Sequence, residues 1–219
     1  MEAIKLIKFG SQRNMEDLYL NGIVFMNTVE YFRNYKDEIL KGDEKEGISY
    51  ILRNARAEIF HQGTRILHGD KANFFFRNEE DIGNIYCLTA LWKDHLSALV
   101  NNEFEVDLKL RSMGESCVVI HNPKLFMSKL SEELNKFKLK FRMHAIEYLD
   151  FNTTVGDYGI FSKPTEYSYQ MEVRVFVKSE GMHPLTVTLG SLQDIVTIHP
   201  AKELLLDKTD NKNADVIDY

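Results

Sequence analysis

The sequence predicts a single α+β domain over residues 1–200, with mixed, mainly antiparallel sheets of short strands and two or three helices. The chain has 219 residues, 44% hydrophobic residues and only 4 prolines, which suffices for one sizeable core but not for two. Short apolar segments with strand periodicity outnumber helical ones. The two types do not alternate as they would in a doubly wound sheet, so the pattern favours the α+β class.

The first elements are a strand, a short helix and a second strand. Residues 3–9 are predicted to form a strand. Ser11 can cap the helix that follows, and Gly22 supplies its end. Residues 23–27 form the second strand, and residues 31–35 have the pattern of a helical turn.

A charged loop and a group of strands come next. Residues 41–47 are charged and bracketed by glycines, which is typical of a solvated surface turn. Strands are expected at residues 50–60, 64–68 and 73–76. Residues 85–91 are almost uninterruptedly apolar, so we expect a central strand that is covered on both faces.

The middle of the chain contains the longest predicted helix. Residues 92–101 predict a short helix, and residues 116–121 a buried strand. Asn122 followed by Pro123 is typical of a helix start. Apolar side chains then recur at helical spacing, at Phe126, Leu130, Leu134, Phe137 and Phe141. We therefore expect an amphipathic helix over residues 123–142, with a basic exposed side.

The last third predicts three strands, a flexible loop and a tail. Residues 143–149, 185–189 and 195–199 have strand patterns. Residues 152–159 are rich in turn-forming residues and could act as a lid. Residues 201–219 become polar, and we expect them to fray.

The segment of residues 169–177 is the most informative part of the chain. Strict alternation would put Met171, Val173, Val175 and Val177 on one face of a strand. Gln170, Glu172 and Arg174 would then share the other face. Polar side chains are buried in a sheet only at a cost unless something pairs with them. This polar row is therefore the candidate active site, the alternative being a Glu172–Arg174 ion pair on a half-exposed face.

Overall charge and hydropathy limit the partners and the cellular compartment. The formal charge is −6, so contact with nucleic acid requires a local basic patch. Neither a signal-peptide pattern nor an apolar run of membrane-spanning length occurs. We expect a cytoplasmic protein without a membrane partner. The seven histidines lack metal-ligand spacing, so no metal site is assigned to them.

Several short segments resemble an uncharacterised bacterial family that is associated with toxin and phage-defence loci. They are LNGIVFMNT at residues 20–28, YFR at 31–33, GDEKEG at 42–47, Lys163, and YQMEVR at 169–174. The likeness covers most of residues 5 to 200. It implies a role as an effector of a toxin or defence system, without implying a particular reaction.

The order of these segments also resembles, more remotely, the ADP-ribosyltransferase fold. Gln170 and Glu172 match the Gln-x-Glu pair of that fold, and Lys8 stands where its first strand carries Arg or His. The resemblance implies NAD as the nucleotide-type small molecule and a protein or nucleic acid as the target. It implies Glu172 and Gln170 as catalytic residues. The implied NAD-binding residues are Lys8, Thr28, Tyr31, Lys163 and Arg174.

One alternative is a metal-dependent nuclease. Asp43, Glu46 and Glu172 would supply carboxylate ligands to Mg²⁺, and Lys163 would face the phosphate.

The other alternative is a docking module without catalysis. The basic helix of residues 123–142, with Phe126, Phe137 and Phe141, would bind an acidic partner or a single-stranded nucleic acid.

Overall fold

The fold is organised around strand β5 (Gly83–Trp92), whose residues are almost all buried. A computed structural model describes residues 2–35, 43–95, 97, 106–153, 158–180, 182–204 and 217–218. Strand β5 pairs with three other strands, all antiparallel to it. The predictions of the α+β class and of a central strand at residues 85–91 are confirmed. The ADP-ribosyltransferase layout stays a prediction.

The strands of the main sheet come from all parts of the chain. Besides β5 they are β1 (Glu2–Gly10), β2 (Ile23–Thr28), β6 (Ser116–Ile120), β7 (Phe141–Ala145), β10 (Glu172–Lys178), β11 (Leu185–Thr188), β12 (Val196–Pro200) and β13 (Ile217–Asp218). The order is β11-β2-β5-β1-β6-β12, with β10 between β5 and β7, and β13 on β1. Two smaller pairs complete the strands, namely the antiparallel hairpin of β3 (Tyr50–His61) and β4 (Thr64–Phe76), and the parallel pair of β8 (Glu147–Leu149) and β9 (Ser162–Pro164).

Four described α-helices accompany the sheet. They are α1 (Gln12–Asn21), α2 (Val29–Asn34), α3 (Leu108–Arg111) and α4 (Pro123–Lys136). Short 3-10 turns occur at Glu79–Asp81, Lys93–His95, Thr165–Gln170 and Ala201–Glu203. The predicted caps are confirmed, since Ser11 accepts a hydrogen bond from the Asn14 amide and Asn122 from the Leu125 amide. None of the described helices is long and apolar enough to cross a membrane.

The two faces of the main sheet have different cores. On the face that α1 and α4 cover, Met15, Leu18, Phe126 and Leu130 pack against side chains that include Val173. We call this the helical face. The opposite face packs against α3 and the turn at Ala201–Glu203, in a cluster that includes Ile7, Leu110, Val119, Ala201 and Leu204.

Strand β5 shares one of its edges between two partners. Its Asn84 and Ile85 pair with β2, and its residues from Thr89 to Trp92 pair with β1. Residues 86–88 therefore face a gap where β1 and β2 diverge. Across this gap the Lys8 ammonium donates a hydrogen bond of 2.8 Å to the Cys87 carbonyl. The Cys87 carbonyl, which has no backbone partner on this edge of the sheet, thus accepts a hydrogen bond from a side chain instead.

Several predicted element bounds are wrong, including those of the two strands predicted at residues 64–68 and 73–76, which form the single strand β4. Helix α4 ends at Lys136 rather than near residue 142, because Lys138 has φ 56° and Phe141 already begins strand β7. Phe137 is consequently 63% exposed and does not belong to the core. Residues 143–149 are divided between β7 and β8, since Ile146 breaks the strand.

A further correction concerns the start of strand β10. Gln170 ends the 3-10 turn at Thr165–Gln170, and Met171 has a left-handed backbone (φ 44°, ψ 46°), so the strand begins only at Glu172. Gln170 therefore does not extend the strand face of Glu172 and Arg174. The predicted helix of residues 92–101 starts with a 3-10 turn at Lys93–His95. Most of its remaining residues, part of the predicted lid and much of the tail lie outside the described residues.

Replacing Gly22 by Ala should destabilise the fold by about 3 kcal/mol. Gly22 has φ +65°, and a Cβ atom there would lie 2.0 Å from the Gly190 carbonyl oxygen, so backbone strain and overlap add up. Gly63→Ala is the matched control, because Gly63 has φ +77° but nothing within 4 Å of the added atom. It should cost only about 1 kcal/mol. Urea unfolding of both variants measures the difference, and equal costs would contradict the packing argument.

Candidate functional site

Five polar side chains from distant segments meet on the sheet face opposite α1 and α4. We call Glu46, Lys163, Gln170, Glu172 and Arg174 the ionic cluster. All five are buried, and Arg174 has no exposed surface. The register of β10 against β5 places Glu172 opposite Thr89 and Arg174 opposite Cys87. Because directly opposed residues point to the same face, the cluster lies against the Cys87 and Thr89 side of β5.

Arg174 is at the centre of the ionic cluster. Its Nε donates to Glu172 Oε1 at 2.8 Å, and its two terminal nitrogens form a bidentate pair with the Glu46 carboxylate. The Nη1 atom also donates to the Ile160 carbonyl. The fork geometry of a guanidinium suits this arrangement, and it satisfies a charge that would otherwise be very unfavourable to bury.

Lys163 holds the other oxygen of Glu172. Its Nζ lies 2.6 Å from Glu172 Oε2 and 2.8 Å from Gln170 Oε1. The backbone N–H of Glu172 donates to the Tyr148 hydroxyl at 2.9 Å. Two buried cations thus face two buried carboxylates, and Glu172 is bound on both of its oxygens.

The electrostatics of the ionic cluster keep Glu172 ionised. Burial alone would raise the pKa of the Glu172 carboxyl, but the charges of Arg174 and Lys163 outweigh it and hold that pKa well below its ordinary range. Burial likewise opposes the charge of Lys163, and Glu172 overcomes it, so the pKa of the Lys163 ammonium is raised. The ionised forms of Glu172 and Lys163 therefore stabilise each other.

Asp43 lies beside the ionic cluster, and its carboxylate has fewer hydrogen-bond partners than those of Glu46 and Glu172. Its Oδ1 accepts from the Lys45 amide at 2.9 Å, whereas its buried Oδ2 has no hydrogen-bond partner within the described part of the chain. Burial, with a contribution from the Glu46 charge, raises the pKa of Asp43 from 3.8 to about 6. Asp43 thus releases its proton at a much higher pH than Glu172 does.

A small cavity opens next to the ionic cluster. Its volume is about 100 Å³, and we call it the inner cavity. Its polar lining includes the ionic cluster and Lys8, and its apolar lining includes Ile7, Phe9, Phe32, Ile85 and Leu110. The Glu172 carboxylate therefore borders a hollow that the first strand also lines.

A larger cleft lies where β1 and α1 separate from β2 and α2. Its volume is about 280 Å³, and we call it the outer cleft. Lys8, Asn14, Asn27, Tyr31 and Tyr35 contribute polar groups to its lining. The Lys8 ammonium lies 4.6 Å from the centroid of the Tyr86 ring, which belongs to the helical-face core. The side chains of Lys8 and Glu172 thus lie on opposite faces of the sheet.

The structure brings together most of the candidate residues predicted from the sequence. Glu172, Gln170, Lys163 and Arg174 meet in the ionic cluster, and Lys8 and Tyr31 line the outer cleft. Thr28 lines neither space. It caps helix α2, where its hydroxyl accepts a hydrogen bond from the Tyr31 amide at 3.0 Å.

Sequence reasoning missed the structural importance of the turn at residues 43–47. The prediction of a solvated surface turn is wrong, because Asp43, Glu46 and Gly47 are buried. A charge count could have found this feature. Lys163 and Arg174 are two cations near a single predicted carboxylate, Glu172, so burying all three requires a second carboxylate from elsewhere in the chain.

The carboxylates of the nuclease hypothesis do not form a metal site here. Glu46 and Glu172 are engaged by Arg174 and Lys163. Among the described residues, no group of three or more His, Cys, Asp or Glu side chains could hold a metal ion.

Comparison with known proteins adds no relative to this picture. No protein-family model, no curated protein and no solved structure matches the chain.

Glu46→Gln should lower the free energy of unfolding by about 3 kcal/mol. The substitution removes the bidentate carboxylate and leaves part of the charge of the fully buried Arg174 uncompensated. Glu80→Gln is the matched control, since Glu80 forms a comparably short pair with Lys178 on the surface. It should leave the urea midpoint unchanged. Similar midpoints for both variants would contradict the structural importance of Glu46.

Asp43→Asn should change the pH dependence of stability. The folded protein retains the Asp43 proton up to about pH 6, whereas the unfolded chain loses it near pH 3.8, so this residue lowers stability as the pH rises between these values. The variant lacks this loss. Relative to wild type it should gain about 2 kcal/mol between pH 4 and pH 7, measured by urea unfolding at several pH values. Parallel pH profiles would contradict the assignment.

Proposed function

We propose that the chain is an ADP-ribosyltransferase-like enzyme that uses NAD as substrate, with Glu172 as its catalytic carboxylate. The observation that carries the proposal is the position of the two cavities. The inner cavity and the outer cleft share Lys8, Phe9, Phe32 and Ile85 in their linings. They approach each other at the gap between β1 and β2. The resemblance to toxin and phage-defence proteins extends the proposal to a role as a defence effector.

The chemistry requires a fixed negative charge beside a ribose. When the C1′–N bond of NAD breaks, nicotinamide leaves with the bonding electrons, and positive charge develops on the ribose. A nucleophile of the target then forms a bond to C1′ and loses its proton. A carboxylate that is ionised and already oriented stabilises this charge without rearrangement. Glu172 meets both requirements, and each of its oxygens can accept more than one hydrogen bond.

The sizes of the two spaces indicate how the substrate would be divided between them. A cavity of about 150 Å³ accommodates benzene, so the inner cavity takes at most one small ring, such as the ribose or the edge of nicotinamide. The remainder of NAD would occupy the outer cleft. There the Lys8 ammonium can attract the pyrophosphate as a point charge. The rings of Tyr31 and Tyr35, whose centroids are 5.2 Å apart, offer a surface for stacking.

This arrangement revises the roles of two predicted NAD-binding residues. Arg174 and Lys163 bind both oxygens of Glu172, and Arg174 is fully buried, so we assign them to positioning this carboxylate rather than to binding pyrophosphate. Gln170 shares Lys163 with Glu172 and borders the inner cavity, where it can orient an acceptor group.

Glu172→Gln should reduce the release of nicotinamide from NAD at least about 100-fold, the scale for removing one preorganised group. Glu166→Gln is the matched control, because Glu166 is an exposed glutamate six residues earlier. It should release nicotinamide at the wild-type rate. Circular dichroism and urea unfolding test whether both variants fold. Lys8→Met tests the outer cleft independently of the ionic cluster, and it should weaken NAD binding measured by calorimetry.

Three results would contradict the proposal. They are an absence of nicotinamide release and of labelled ADP-ribose transfer by the wild-type protein, equal rates for folded Glu172→Gln and wild type, and NAD binding that Lys8→Met does not change.

A further inference from the structure

The hairpin of β3 and β4 extends away from the main sheet as an arm. Its strands have 12 and 13 residues and pair with each other only, in a separate two-stranded sheet. At 3.4 Å per residue the arm is about 40 Å long. Its tip is the turn Gln62–Gly63, where both residues have positive φ (49° and 77°), as a tight two-residue hairpin requires. Between residues 54 and 68, every side chain that the structure describes is exposed.

The arm carries a charge opposite to that of the rest of the chain. The arm, residues 50–76, contains four basic and two acidic residues, whereas the whole chain contains 27 basic and 33 acidic ones. Arg56, Arg65 and Lys71 of the arm are exposed, as is Arg77 directly after it. Arg65 forms a 3.1 Å ion pair with Glu58, and both side chains remain more than a third exposed. The hairpin is therefore a local basic patch on an acidic protein.

The arm also exposes large apolar side chains. Phe60 is 58% exposed, Phe75 46% and Phe76 49%, and Ile66 near the tip is 62% exposed. A two-stranded ribbon with both faces in water is only marginally stable by itself. A ligand that covers these side chains would stabilise the arm. Basic side chains interleaved with exposed aromatic rings suit a polyanion whose bases can stack.

We infer that the β3–β4 hairpin is an arm that binds single-stranded nucleic acid. The exposed arginines and lysine neutralise backbone phosphates, and the phenylalanines stack on unpaired bases. Duplex bases are already stacked and offer no free faces to Phe60 and Phe75, so the aromatic exposure favours single strands. RNA and DNA share this chemistry. The inference goes beyond the proposed enzymatic function and holds independently of it.

Fluorescence anisotropy with labelled 20-nucleotide oligo-dT and oligo-U tests the inference on the full chain. The affinity for both oligonucleotides should fall as the salt concentration rises. Arg56→Ala with Lys71→Ala should reduce the slope of log affinity against log salt by about 1.4, since each phosphate contact to a single strand contributes about 0.7. Phe60→Ala should weaken binding about tenfold at constant salt. The relative affinities of the two oligonucleotides show whether RNA or DNA is preferred.

Matched controls use the helix that sequence analysis offered as an alternative docking surface. Phe137 is exposed at the end of α4, and Lys124 is exposed near its start. Phe137→Ala and Lys124→Ala should bind both oligonucleotides like wild type. Glu172→Gln should also bind them normally, and the arm variants should release nicotinamide normally, so failure of either proposal is recognisable by itself.

Four results would overturn the inference. They are an absence of oligonucleotide binding by the wild-type protein at 50 mM salt, tighter binding of a 20-base-pair duplex than of single strands, equal losses in the arm and α4 variants, and salt-independent binding. Unfolding of Phe60→Ala is not expected, because this side chain is exposed. Circular dichroism of Phe60→Ala tests whether this variant is folded.

Discussion

The burial of Arg174 is the constraint on which the rest of the structure depends. Removing a guanidinium from water costs several kcal/mol even after relaxation, and the cost is offset only if charge and hydrogen-bonding capacity are both satisfied. Here Glu46, Glu172 and the Ile160 carbonyl provide the acceptors. These groups come from three separate segments. The position of one side chain on β10 thus fixes the turn at residues 43–47 and the chain before β9 against the sheet.

The same constraint gives the candidate site its chemical character. Because Arg174 and Lys163 each occupy one oxygen of Glu172, this carboxylate is held in one orientation and ionised on the wall of the inner cavity. With Glu46 included, the four charges of the cluster balance. Asp43 would add a fifth charge, and its pKa is raised mainly by its burial and further by the negative charge of Glu46. The cluster therefore tolerates a proton on Asp43 far better than on Glu172.

The sequence predicted those features that neighbouring residues determine. The caps at Ser11 and Asn122 and the central strand β5 depend on side chains within a few positions of each element, and all are confirmed. The buried turn at residues 43–47 was missed because its burial depends on Arg174, 128 residues from Glu46. The local sequence is rich in charged residues and glycine, and solvated surface turns have the same composition. The overestimated length of α4 has a similar origin, since Phe141 fits the helical period but belongs to β7.

The gap between β1 and β2 links the fold to the candidate site. A strand that keeps one continuous partner on each edge leaves no backbone group open, but β5 exchanges β2 for β1 along one edge. Residues 86–88 pair with neither β1 nor β2 on this edge, and the Cys87 carbonyl accepts a hydrogen bond from the Lys8 ammonium instead of from a backbone amide. On its other edge, β5 pairs with β10 throughout this region, with Arg174 opposite Cys87 and Glu172 opposite Thr89. One irregularity in the sheet therefore creates both the outer cleft and its proximity to the buried carboxylate. A regular sheet would have closed this gap and separated the outer cleft from the cavity that Glu172 lines.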